Sequence, residues 1–136
     1  MNTIAIPASF LSIMRSALVS EMGRVTSLIE DTAWLPESER APEWWVGLCD
    51  EFDACRSLLD RVGWTDPKQE VTRFIHLDDD RQVVLLRALK ARLEIERDYT
   101  KVEPHLKGAV RQKRTAKRNV RQIDSFFATT GLKGGE

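Results

Sequence analysis

Two histidines and two cysteines are all that this chain of 136 residues offers for metal or thiol chemistry. Neither His76 nor His105 stands in an H-E-x-x-H or Glu-x-x-His setting, and Cys49 and Cys55 form no Cys-x-x-Cys pair. Six positions along one helix put the two thiols about 120° apart, too far round to bridge, so both read as reduced, small hydrophobes. Glycine-rich phosphate loops are missing, as is a G-x-S-x-G elbow. These absences leave no catalytic, cofactor-binding or metal-binding residue to nominate. No apolar run nears the roughly 20 residues of a membrane span. Met1–Ser9 lacks a basic start, and Arg15, Glu21 and Arg24 interrupt the apolar stretch, which argues against a secretory signal. The expectation is a cytoplasmic protein without a membrane partner.

What the chain does have is charge, unevenly placed. Residues 1–100 hold 12 Lys/Arg against 18 Asp/Glu, and residues 101–136 hold 9 against 3. The formal net charge of zero therefore hides an acidic body and a basic end. Such asymmetry points to a partner for the basic end, or to an acidic surface on which it docks.

Periodicity organises the rest into an all-α bundle of four main helices, at about 7–33, 43–62, 79–102 and 104–128. Phe10, Leu11, Met14, Leu18, Met22, Val25, Leu28 and Ile29 recur at three- and four-residue steps after Pro7, a favoured first helical position. The outer face of that helix is rich in serine (Ser12, Ser16, Ser20, Ser27), which suggests cover from the chain or from a second copy. The second helix carries a stripe from Trp45 to Val62 and stops at Gly63. Asp78-Asp79-Asp80 suits a helix start, where carboxylates cap free N–H groups, better than a metal site. The third helix is apolar over more than half its circumference, which predicts contact with two neighbours and a central place. Between helices two and three, residues 67–77 read as a short helix or an extended connector. Val71–Leu77 is β-prone, yet no second strand stands out to pair with it. One domain over 1–130 and a flexible, glycine-rich tail over 131–136 complete the layout.

Three side-chain groups stand apart from this core pattern. Lys107, Arg111, Arg114, Arg118 and Arg121 fall in one narrow band of the fourth helix, over a rise of about 21 Å. No Asp or Glu lies between Glu103 and Asp124 to neutralise it. Glu21, Arg92 and Glu96 project into apolar arcs, where an unpaired charge is costly, and their simplest solution is one ionic cluster joining helices one and three. Trp44, Trp45 and Trp64 are candidates for an apolar interaction patch. Together these predict a non-enzymatic interaction or adaptor module that binds a protein partner or itself as a homodimer. A nucleic-acid-associated or regulatory role for the basic helix is the alternative; phosphate contacts by the band would supply affinity without sequence reading.

Overall fold

The computed structural model describes residues 2–36, 42–63, 72–101 and 108–132. In chain order they form β1 (Asn2–Ile6), α1 (Ala8–Ala33), α2 (Pro42–Val62), β2 (Arg73–Leu77), α3 (Asp79–Tyr99) and α4 (Ala109–Thr130). The four-helix, all-α reading holds, with a small two-stranded sheet added to it.

That sheet is the main departure from the sequence reading. β2 does find a strand partner, the segment NTIAI ahead of the first helix, which lies antiparallel with Ile4 opposite Ile75 and Thr3 opposite His76. Alternation explains the pairing. Ile4, Ile6, Ile75 and Leu77 point inward and are buried, while Thr3, Ala5, Phe74 and His76 face out. Thr3 Oγ1 and His76 Nδ1 lie 2.7 Å apart across the outer face. The extended option for the connector is thus realised at 73–77, while 64–71 lie outside the described residues.

Helix ends follow local chemistry. Pro7 is extended and precedes α1 as its N-cap, one position earlier than the helical role expected of it. Gly63 stops α2 with φ +61° and donates its N–H to Leu59 O at 2.9 Å, a left-handed position that favours glycine. Asp78 caps α3 by accepting from the Arg81 N–H at 2.8 Å. The fourth helix starts later than predicted. Gly108 has φ +81° and occupies the N-cap, so the helical turn begins at Ala109 instead of Pro104; residues 102–107, with Lys107 and His105, lie outside the described set. Its end also shifts, to Thr130. Gly131 closes it, and Leu132 beyond is 2% exposed, so the chain stays anchored past the point where the tail was placed.

α1 and α2 run antiparallel: Arg15 Nη1 reaches Gly63 O at 3.1 Å near one end, and Arg24 reaches Glu51 towards the other. α3 packs against α1, α2 and α4, the central position that its broad apolar surface predicts. One core unites the inner sheet face with Leu11, Met14 and Leu18 of α1, Cys55 and Leu58 of α2, Leu85 and Leu89 of α3, and Ile123 of α4. α4 rests chiefly on α3. Its far end meets the start of α1 through Phe10 and Phe126, whose rings stack with centroids 4.5 Å apart.

Candidate interaction site

The charged side chains separate into two kinds of environment. Between α1, α2 and α3 they pair. Arg24 forks onto Glu21, with Nη2 2.6 Å from Oε1 and Nε 3.2 Å from each carboxylate oxygen. Arg24 Nη2 also lies 3.3 Å from Glu51 Oε2, and Arg87 donates to Glu51 Oε1 from α3. The chain Glu21–Arg24–Glu51–Arg87 ties three helices together beside the buried Cys55. Hydrogen bonding to Glu21 raises the Arg24 pKa further. Burial, reinforced by the Glu21 and Glu51 carboxylates, pushes the Cys55 thiol up to about 11.

This clasp corrects the predicted Glu21–Arg92–Glu96 cluster. Glu21 is only 4% exposed and needs a cation, but it takes Arg24, three residues on in its own helix, whose guanidinium bends back over it. Arg92 pairs instead with Glu96 on α3, at 2.8 Å. That leaves the Arg92 Nε–H buried with no acceptor among the described residues. Leaving a buried donor unpaired costs about 1–3 kcal/mol.

Along α4 the situation is reversed. Arg111, Arg114, Arg118 and Arg121 are all exposed on one face, opposite the buried Ala109, Ala116, Ile123 and Phe126. Arg111, Arg114 and Arg118 have no carboxylate partner among the described residues. The one carboxylate of the helix, Asp124, lies 3.8 Å from Arg97 of α3.

The opposite sign gathers where α2 passes the start of α3. A groove of about 550 Å³ there is edged by Asp50, Asp53 and Asp80, none of which has a cation partner among the described residues. Glu51 and Asp78 share its rim, but they already hold Arg24, Arg87 and Arg81. Sequence periodicity does not report this groove, because it combines two elements about 30 residues apart in the chain.

A third feature lies between α4 and α1. An apolar hollow of about 490 Å³ sits over Phe10 and Phe126, with Arg118 and Arg121 at its edge. It adjoins a polar chamber of about 380 Å³ through the shared Ser9, Arg118 and Gln122. Ser12 and Ser16 line the chamber, so part of the serine face of α1 looks onto α4, although only Ser16 is half-buried and Ser12, Ser20 and Ser27 are exposed.

The tryptophan patch is only partly realised. Trp44 is 46% exposed, Trp45 is half-buried, and Trp64 lies outside the described residues. The most exposed large ring among the described residues belongs to Trp34, 89% exposed at the end of α1. Among the described residues no group of His, Cys, Asp and Glu is arranged to hold a metal, and no helix is long and apolar enough to cross a membrane. The sequence matches no family model, and no curated protein or solved structure shows significant similarity to it.

Proposed function

We propose that this chain is a non-enzymatic interaction module that self-associates, the basic face of α4 in one copy docking on the acidic groove between α2 and α3 of another. One observation carries this reading: the same chain presents a basic face and a separate acidic groove, and Arg111, Arg114 and Arg118 on the one and Asp50, Asp53 and Asp80 on the other have no counter-charge among the described residues. A second copy supplies the missing counter-charge in both directions. Two reciprocal contacts would close a two-fold homodimer, which is the commonest symmetric assembly. Exposed ion pairs contribute about 0–1 kcal/mol each and weaken with salt, so the association should be moderate and salt-sensitive.

Sedimentation velocity at micromolar concentration tests it. The native chain should sediment as an oligomer at about 50 mM salt and shift towards monomer near 500 mM. Changing Arg111, Arg114 and Arg118 together to Gln should give monomer at low salt with an unchanged helical spectrum, since all three side chains face solvent. A monomeric native chain at low salt removes the reading. So does a gel shift with mixed-sequence DNA that the triple change abolishes: α4 would then serve phosphates, with a log–log salt slope near −3 to −4 for the four exposed arginines.

A further inference from the structure

The cleft between α1 and α4 has two compartments, and their chemistry differs along its length. The apolar hollow is floored by the stacked Phe10 and Phe126 rings. The polar chamber beside it, open to solvent, is lined by two guanidinium side chains, Arg92 and Arg118, by the hydroxyls of Ser12 and Ser16, and by the amides of Asn119 and Gln122. No carboxylate lines it. Glu96 occupies one side of Arg92, through Nη2, and the buried Nε–H has no acceptor among the described residues. Arg118, in contact with both compartments, has no partner among the described residues.

We infer that this cleft is a binding site for a small organic phosphate: a phosphate head in the chamber and an apolar or aromatic body over Phe10 and Phe126. Arg118 has no carboxylate partner among the described residues, Arg92 is met by Glu96 on one side only, and the other lining groups are mostly neutral donors. The chamber therefore favours a negative ligand over a neutral or cationic one. The number of donors selects phosphate over carboxylate. Three terminal phosphate oxygens can use two guanidinium groups and the hydroxyls together, where a carboxylate has two oxygens to offer. The adjoining aromatic floor adds apolar contact that a bare inorganic ion cannot make. This site shares Arg118 and Arg121 with the self-association surface but is otherwise distinct from it, so the two can be tested apart. Arg114 lies on the basic face but lines neither compartment, and Ser12 lines the chamber but not the basic face.

The experiment is an amide chemical-shift titration of the full chain with phenyl phosphate, benzoate and inorganic phosphate. Phenyl phosphate should saturate, shifting Ser12, Ser16, Asn119 and Gln122 while leaving Trp44 unmoved, and should bind about 10-fold more tightly than inorganic phosphate or benzoate. Arg118→Gln should weaken it about 10-fold or more, the loss expected of one charge-assisted contact. Ser12→Ala should weaken it a few-fold, and Arg114→Gln should leave it unchanged. Absence of saturable shifts at millimolar phenyl phosphate overturns the site, as does binding indifferent to Arg118→Gln. Benzoate binding as tightly as phenyl phosphate overturns the assignment of a phosphate head, and inorganic phosphate doing so removes the apolar half. Loss of self-association in Arg114→Gln with phenyl phosphate binding intact supports two separate surfaces.

Discussion

Between α1, α2 and α3, Arg24 and Arg87 converge on Glu21 and Glu51. Along α4, six cations accompany a single carboxylate, and that carboxylate faces Arg97 of another helix. The first region uses charge to register its own helices. The second leaves charge facing outward and attaches itself by apolar contacts, through Ala116, Ile123 and Phe126. Equal numbers of acids and bases in a chain therefore say little about how many of them the fold consumes. Burial decides the difference: Glu21 is enclosed and cannot stay unpaired, whereas Arg111, Arg114 and Arg118 are hydrated and can.

The sharpest way to break this contrast is at the apolar anchor of α4. Phe126→Ala should cost about 3–4 kcal/mol, because the ring is 5% exposed and its stacking partner Phe10 would face a cavity. Urea denaturation measures it, and a loss below about 1 kcal/mol would mean that Ile123 and Leu132 alone hold the helix. Next comes the clasp. Arg24→Met should cost about 2–3 kcal/mol, less than for a fully enclosed pair since the Arg24 side chain is 45% exposed and water can reach Glu21 in its place. Adding Glu21→Gln should recover part of that loss; no recovery would show that Arg24 acts through packing instead of charge.

The smallest expected effect is seen only at alkaline pH. The Cys55 thiol is held up at about 11 against an ordinary 9.0, first by burial and then by Glu21 and Glu51. Between those values the folded chain keeps a proton that the unfolded chain has released, so stability is full below about pH 9 and declines as pH rises towards 11. Urea midpoints from pH 8 to 10.5 should fall less steeply in Cys55→Ala than in the native chain. Parallel curves would mean that the fold does not hold the thiol above its ordinary value. Below pH 9, alkylation should label the half-buried Cys49 ahead of the buried Cys55.

Legibility from sequence tracked the range of the interaction. The helices, the Asp78 cap, the Gly63 stop and the basic face of α4 depend on residues within a few turns of one another, and they could be read directly. α3 could be placed centrally because its apolar circumference is itself a local pattern. The β1–β2 pairing could not be read, since Ile4 and Ile6 make a two-beat alternation too short to announce a strand without its distant partner. The partner of Glu21 was misjudged for another reason. Arg24 and Arg92 were both within plausible reach, and only the rotation of α1 settles which guanidinium arrives. The acidic groove and the α1–α4 cleft lie between elements, where no single periodicity reports them.

The two-stranded sheet also sets a schedule for synthesis. Thr3 and His76 touch across 73 positions of chain. At a typical rate of about 5–20 residues per second, β1 leaves the ribosome roughly 4–15 seconds before β2. During that interval Ile4 and Ile6 have no strand to lie against, although α1 and α2 are already long enough to pair. Slow decoding during this interval would lengthen the wait, so the speed of translation bears on whether Ile4 and Ile6 reach their place.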